Sequence, residues 1–204
     1  MKKILSYLLI IIGIGTIFFP KLKDLYFSKK GEEVLGNWEK ISNQFEAYDQ
    51  DSFEYGEELL EPEKREDIWK DIGEDVDGIL NIEKIDFFGP ILKEITEYNL
   101  NIGVTKIEEK QIIGQIGNYS IAGHRSRRYG RHFNRLGELE KGDEIEIITE
   151  EDKYTYIVYD KMVVKSEDTW VLESNNKDKL ITLVTCDYSM KPTGRLIIKG
   201  KMKE

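Results

Sequence analysis

From Gly78 to the end of the chain, short apolar segments alternate with turns rich in Gly, Asn and Asp. The predicted strands are 79–85, 102–104, 119–122, 144–149, 154–159, 162–164, 180–185 and 195–199. Eight short strands at this spacing are typical of an all-β barrel or sandwich. One short helix is expected at 131–136. The pattern therefore predicts a mainly β domain over residues 78–204.

The N-terminal part has a different pattern. Residues 4–19 form an uncharged apolar run, preceded by Lys2 and Lys3 and followed by Lys21 and Lys23. The run is short for a transmembrane helix, but no small-residue cleavage site follows it, so we expect an uncleaved signal anchor. Flanking lysines weaken the positive-inside rule, whereas the acidic remainder favours export. Residues 1–30 are thus predicted to anchor a single-pass protein in the cell membrane, with its C-terminal domain on the extracellular face.

The region between these two parts is acidic. Residues 31–75 contain sixteen acidic and four basic residues. The overall charge of −9 and its distribution do not suit nucleic-acid binding, so no nucleic-acid partner is expected. A helical stalk is predicted over residues 31–77, with a second helix starting at Pro62. The first stalk helix is indicated by apolar residues spaced three and four apart: Val34, Trp38, Ile41, Phe45 and Tyr48.

Three polar or reactive side chains stand at the ends of apolar strands. Cys186, the only cysteine, follows 180–185; His124 follows 119–122 and Gly123; Arg195 opens the last strand. Each alone is compatible with a structural role, as a packed thiol, a satisfied histidine or a strand-edge arginine. Together they suggest a nucleophile, its proton partner and a guanidinium that stabilises an oxyanion.

The motifs around these residues resemble those of the sortase family. Residues 182–186 read Thr-Leu-Val-Thr-Cys, Gly123-His124 precedes them, and Arg195 follows at the family's spacing. Two further stretches, 78–85 and 133–143, resemble the family's early Gly-x-Leu-x-Ile segment and its Phe-x-x-Leu-x-x-Leu-x-x-Gly-Asp segment. One departure is Glu83, where the family usually has proline. The resemblance covers residues 78–200.

The resemblance implies a closed eight-stranded β-barrel and a cysteine transpeptidase. By family analogy, Cys186 attacks the Thr-Gly carbonyl of a Leu-Pro-x-Thr-Gly-like sorting motif on a surface protein, and His124 protonates the departing amine. Arg195 and the backbone N–H of Asp187 stabilise the oxyanion, and Thr185 lines the site. An amine of a cell-wall precursor or of peptidoglycan then resolves the thioacyl enzyme. No cofactor is implied.

Two features are interpreted beyond the catalytic trio. The sequence shows neither the Asp-Pro-aromatic lid nor the C-terminal membrane helix of pilin-polymerising sortases, so an anchoring enzyme of class A, B or D is expected. The short loop between Tyr159 and Trp170 disfavours the class with a long inserted helix there, and class D is the preferred interpretation. Three adjacent acids at 150–152 are interpreted as a solvated hairpin, so no metal site is expected.

Five of the seven arginines lie within eleven residues after His124. We interpret them either as a solvated patch or as a cationic lip that attracts an anionic co-substrate. These residues are Arg125, Arg127, Arg128, Arg131 and Arg135.

Two alternatives to a transpeptidase remain open from the sequence. In the first, the enzyme is a thiol peptidase whose acyl intermediate is resolved by water. In the second, the chain is a catalytically silent, membrane-tethered β-barrel that binds wall or protein ligands. The second is disfavoured because the thiol, the imidazole and the guanidinium are all present.

Overall fold

The computed structural model describes residues 2–51, 75–126, 132–150, 152–191 and 193–203. Eight strands form a closed barrel in the order β1-β2-β3-β4-β7-β8-β6-β5. The mainly β class and the closed eight-stranded barrel are therefore confirmed. The strands are β1 (Val76–Ile82), β2 (Phe87–Leu92), β3 (Val104–Lys106), β4 (Gly117–Ala122), β5 (Glu144–Ile148), β6 (Lys153–Val164), β7 (Lys179–Asp187) and β8 (Gly194–Met202).

The individual strands differ from the predicted ones in four places. The strand predicted at 102–104 shares only Val104 with β3, since Ile102 ends a short helix, Glu97–Ile102. β2 was not predicted, and the two segments 154–159 and 162–164 are one strand, β6, with a register shift between Val158 and Asp160. Residues 83–85 form a 3₁₀ turn rather than the end of β1. In place of the short helix expected at 131–136, the described residues there include a 3₁₀ turn at Leu136–Glu138.

The strand directions bring three strand ends to one mouth of the barrel. β4 and β7 run parallel, with pairs from Gly117↔Lys179 to Ala122↔Val184. β7 and β8 run antiparallel, so β8 begins where β7 ends. The carboxyl ends of β4 and β7 therefore lie beside the start of β8, as the positions of the three candidate residues require.

The barrel interior is filled by a single large cluster of aliphatic and aromatic side chains. Phe133, which is fully buried, packs against Gly123 at the end of β4. A Cβ added to Gly123 would lie only 2.6 Å from this ring. Glycine is thus required at this position because the core aromatic ring lies directly against the main chain before His124.

An N-terminal helix, α1 (Lys2–Asp51), packs on the barrel near a short helix, α2 (Glu97–Ile102). Phe27 is buried, and its ring lies 5.5 Å from that of Tyr98. Lys23 Nζ lies 3.3 Å from a carboxylate oxygen of Glu97. The Cβ that Gly31 lacks would lie 2.9 Å from the Ile102 carbonyl oxygen, so this glycine lets the helix approach α2 closely.

The helix predicted from Val34 to Tyr48 is present as part of α1, which continues without a break across residue 30. The helix predicted from Pro62 lies outside the described residues, and the proposed division at residues 30 and 77 stays a prediction. Within the described part of the chain, no helix combines the length and the apolar character that crossing a membrane requires.

A buried polar cluster links β1, β3 and β4. Lys106 Nζ donates to Asp77 Oδ2 at 2.9 Å, and the Tyr119 hydroxyl donates to the same oxygen at 2.7 Å. Lys106 and Tyr119 are both buried. Burial raises the pKa of Tyr119 well above its ordinary value, and the nearby Asp77 carboxylate adds to the rise. The phenol therefore stays protonated and acts as a donor.

Asp77→Asn is expected to lower the free energy of unfolding by about 3 kcal/mol, because it leaves the buried Lys106 ammonium without its carboxylate. Chemical denaturation followed by circular dichroism measures this change. Asp86→Asn is the matched control, since the Asp86 side chain is 83% exposed and pairs with Arg135 at the surface. The control should lose less than about 1 kcal/mol. Equal losses in the two variants would contradict a special role for Asp77.

Candidate active site

Cys186 and Arg195 are direct neighbours across the β7–β8 ladder. Directly opposed residues in an antiparallel pair project from the same face of the sheet, so the thiol and the guanidinium lie on one side. Both side chains are partly exposed, and Cys186 is a free thiol. Arg195 Nη1 donates to the carbonyl oxygen of Gly194 at 3.0 Å.

His124 lies just beyond the end of β4, on the other side of β7. The last ladder pair is Ala122↔Val184, and the Gly123 N–H still donates to the Val184 carbonyl at 3.0 Å. Continuing this register by two residues places His124 beside Cys186, on the same face because side chains alternate along a strand. His124 is exposed. The fold therefore brings the three predicted residues into one row across β4, β7 and β8.

Thr185 is buried rather than open to solvent. Its Oγ1 donates to the Gly123 carbonyl oxygen at 2.8 Å. This bond ties the residue before Cys186 to the residue before His124. Contact between Thr185 and a substrate stays a prediction.

Asp187 is buried and accepts hydrogen bonds at both carboxylate oxygens. Oδ1 accepts from the backbone N–H of Ser189 at 2.8 Å and from its hydroxyl, and Oδ2 accepts from Arg125 Nη1 at 2.9 Å. These Ser189 bonds, together with the Arg125 charge, hold the pKa of Asp187 below its ordinary value, although burial opposes the shift. The carboxylate therefore stays ionised in the neutral range.

Arg125 also contacts other parts of the β7–β8 loop. Its Nη1 lies 3.5 Å from the Cys186 carbonyl oxygen, and its guanidinium carbon lies 5.8 Å from the centre of the Tyr188 ring. A cavity of about 430 Å³ opens beside these groups. Its lining consists of Arg125, Ser126, Asn134, Asp187, Tyr188 and Ser189. Polar side chains thus surround the space next to the row of His124, Cys186 and Arg195.

The arginine-rich segment is only partly described. Arg127, Arg128 and Arg131 lie outside the described residues. Arg125 pairs with Asp187, and Arg135 pairs with Asp86 and Glu138. The cationic lip stays a prediction, and both of its described members are engaged in ion pairs.

His132 is a neighbour of His124 that the sequence pattern does not indicate. Its ring centre lies 6.2 Å from that of His124, in an edge-to-face arrangement, and its backbone φ is 49°. Arg125 and His132 form an isolated β-bridge that brings the second histidine back to the first. No motif in the sequence indicates this contact. Within the described residues, no group of three or more His, Cys, Asp or Glu side chains could hold a metal ion.

The barrel is closed and carries a thiol, an imidazole and a guanidinium at one mouth. This combination indicates a cysteine transpeptidase. The sortase domain family matches residues 80–203, and the chain belongs to the sortase family. It is 34% identical to Sortase A of Bacillus anthracis over 61% of this chain and 59% of that protein, so it spans less than two thirds of that relative. It is 27% identical to Sortase A of Listeria monocytogenes over 100% of this chain and 92% of that protein.

Solved structures agree with this assignment. The structure of a Clostridium perfringens Sortase D5 transpeptidase superposes with a TM-score of 0.59 at 29% identity. The superposition covers 76% of this chain and 93% of that one. Because relatives named A and D are both present, the predicted class D assignment stays a prediction.

Proposed function

We propose that this protein is a membrane-tethered transpeptidase that cleaves a Leu-Pro-x-Thr-Gly-like sorting motif between Thr and Gly and transfers the protein to a cell-wall amine. The observation that supports the proposal most directly is the single row of His124, Cys186 and Arg195. Cys186 and Arg195 are paired across β7 and β8, and His124 follows the end of β4, whose last ladder pair with β7 is Ala122↔Val184.

In the first step, the Cys186 thiolate attacks the threonine carbonyl carbon of the sorting motif. The C–S bond forms while the carbonyl π electrons move to oxygen, giving a tetrahedral oxyanion. Arg195 and the backbone N–H of Asp187 donate to that oxygen. A guanidinium has five N–H donors, so the Nη1 bond to the Gly194 carbonyl leaves further donors for this task.

Collapse of the oxyanion breaks the bond between the threonine carbonyl and the glycine nitrogen. His124, as imidazolium, gives its proton to the departing amine, and a thioacyl enzyme remains. The incoming cell-wall amine then attacks the thioester, and His124 takes a proton from that amine as the C–S bond breaks. Cys186 leaves as the thiolate and His124 is again the imidazolium, so both groups return to their starting states.

Mass spectrometry of the full chain with sorting peptides tests the proposal. A thioacyl adduct on Cys186, which an added amine converts to an amide product, supports transpeptidation. An adduct that gives only the hydrolysed peptide, with or without amine, would identify a thiol peptidase. Failure of every sorting peptide to form an adduct would favour the silent binding module and overturn the proposal.

The tether is proposed for the first part of α1. Between Tyr7 and Tyr26 this helix carries many large apolar side chains that are more than half exposed, among them Ile10, Ile14 and Ile17. Exposing an apolar surface of this extent to water is costly in free energy, so the surface favours an apolar environment.

Replacing Ile10, Ile14 and Ile17 together with Asp is expected to remove at least about nine tenths of vesicle binding, because charged groups are strongly disfavoured in hydrocarbon. Co-sedimentation with phosphatidylglycerol–phosphatidylcholine vesicles measures it. A variant with Ile112→Asp and Ile116→Asp, in the segment before β4, is the control, since these two side chains are also more than half exposed. Unchanged binding of the helix variant would refute the tether.

A further inference from the structure

Two side-chain links join β4 to β7 on either side of His124 and Cys186. Before them, Thr185 Oγ1 donates to the Gly123 carbonyl at 2.8 Å. After them, Arg125 Nη1 donates to Asp187 Oδ2 at 2.9 Å. The regular ladder between β4 and β7 ends at Ala122↔Val184, so the second link lies beyond the last strand pair. The imidazole and the thiol are therefore bracketed by a link on the strand side and a link on the loop side.

The second link is itself fixed from several directions. Ser189 holds the other oxygen of Asp187 through its backbone N–H and its hydroxyl. Arg125 Nη1 also lies within reach of the Cys186 carbonyl oxygen, and its guanidinium faces the Tyr188 ring. Rotation of the Asp187 peptide group would break these contacts. The backbone N–H of Asp187 is consequently held in one direction.

We propose that Arg125 is a positioning residue, whose ion pair with Asp187 holds the His124 imidazole beside the Cys186 sulfur and aims the Asp187 N–H at the oxyanion. This inference rests on the proposed transpeptidase function. It gives Arg125 a different task from membership of a cationic lip, because its charge is used inside the enzyme.

Because the Arg125–Asp187 ion pair is partly exposed, its effect on catalysis can be distinguished from an effect on folding stability. The side chains of Arg125 and Asp187 are 35% and 11% exposed. Arg125 is partly exposed, and the two hydrogen bonds from Ser189 remain on the Asp187 carboxylate when the arginine is replaced, so loss of this pair should cost little free energy of unfolding. By contrast, a displacement of about 1 Å between reacting groups can lower a rate about 10²-fold. Loss of the pair should therefore slow catalysis while leaving the melting temperature nearly unchanged.

Arg125→Gln and Asp187→Asn are each expected to lower kcat about 10- to 100-fold with little change in KM for peptide or amine. The double variant should be no slower than the slower single variant within about twofold, because both changes break the same link. Arg125→Lys keeps the positive charge opposite Asp187 but loses the guanidinium that faces the Tyr188 ring, so its activity should lie between those of wild type and Arg125→Gln. Arg135→Gln is the matched control, because Arg135 is also ion-paired but its partners are Asp86 and Glu138.

Alkylation of Cys186 by iodoacetamide across a pH series provides a readout that needs no sorting peptide. Arg125→Gln should change its rate profile relative to wild type and Arg135→Gln. Suppose that wild type forms the thioacyl adduct with a sorting peptide, and that Arg125→Gln has the same kcat and the same alkylation profile as wild type. The positioning role of Arg125 is then wrong, and the proposed function stands. The positioning role would also be overturned if the variants changed only KM, or if the losses in kcat of the two single variants added up in the double variant. If wild type forms no adduct, the proposed function fails, and the alkylation profile alone decides whether Arg125 positions the thiol.

Discussion

Cys186→Ala is expected to lower turnover of a sorting peptide by at least about 10⁴-fold and to abolish the covalent adduct, because the chain has no other thiol. The proposed reaction passes through a thioester, and neither His124 nor Arg195 can supply that intermediate. Liquid chromatography of products measures the loss of turnover, and intact-protein mass spectrometry measures the adduct.

The fold of this variant should be unaffected, since Cys186 is only partly buried at the end of β7. Its melting temperature therefore serves as the control for folding. Retention of more than about one hundredth of the wild-type turnover would contradict the nucleophilic role of Cys186. An adduct on any other side chain would do the same.

Arg195→Gln is expected to lower kcat about 10²- to 10³-fold, the typical loss when one oxyanion donor is removed. KM should change less, because the guanidinium acts mainly on the charge that develops at the transition state. Single-turnover measurements should show slow formation of the thioacyl enzyme rather than its absence. The thiol remains in place, so iodoacetamide should still alkylate Cys186.

Lys201→Gln provides the control for loss of a positive charge on β8. Lys201 lies six residues along the same strand, on the same face, and pairs with Asp178 at the far end of the barrel. The activity of Lys201→Gln should stay within about twofold of wild type. Equal losses in the two variants would mean that the net charge of the strand, and not the Arg195 donor, controls the rate.

The sequence pattern predicted strands well where apolar residues ran without interruption. β7 and β8 were predicted within a few residues of their observed bounds, because their apolar runs are unbroken and turn residues separate them. β2 was missed because Gly89 and Pro90 interrupt its apolar run, and proline normally demotes a strand. Pro90 is tolerated here because β2 and β3 share only two ladder pairs, Ile91↔Val104 and Leu92↔Thr105.

β6 was divided in two because Asp160 and Lys161 interrupt its apolar segments. The strand instead continues through a register shift between Val158 and Asp160, while Lys161 Nζ reaches the Leu139 carbonyl at 2.9 Å. A bulge of this kind leaves little trace in the hydrophobic pattern. Strand number was therefore predicted correctly while one strand was missed and another was counted twice.

The positions of His124, Cys186 and Arg195 at one mouth of the barrel could be predicted because each residue ends or begins an apolar strand; their catalytic roles stay a prediction. The link between Arg125 and Asp187 could not, since the two residues are 62 positions apart and nothing in a sequence selects one acid for one arginine. The approach of His132 to His124 could not be predicted either, and His132 itself has a left-handed backbone conformation. Side-chain partners across loops are determined by tertiary geometry rather than by local pattern.

Closure of the barrel restricts how a polypeptide substrate can be recognised. Where β4 extends past its short pairing with β3, the Ile107 N–H donates to the Ser120 carbonyl at 2.8 Å, and the Gln111 side chain accepts from the Ser120 N–H at 2.7 Å. Main-chain groups that could receive an added strand from a bound peptide are thus already satisfied along this part of β4. A bound peptide must be distinguished there by surface side chains and loops, so its preferred residues can diverge among relatives while the barrel scaffold stays the same.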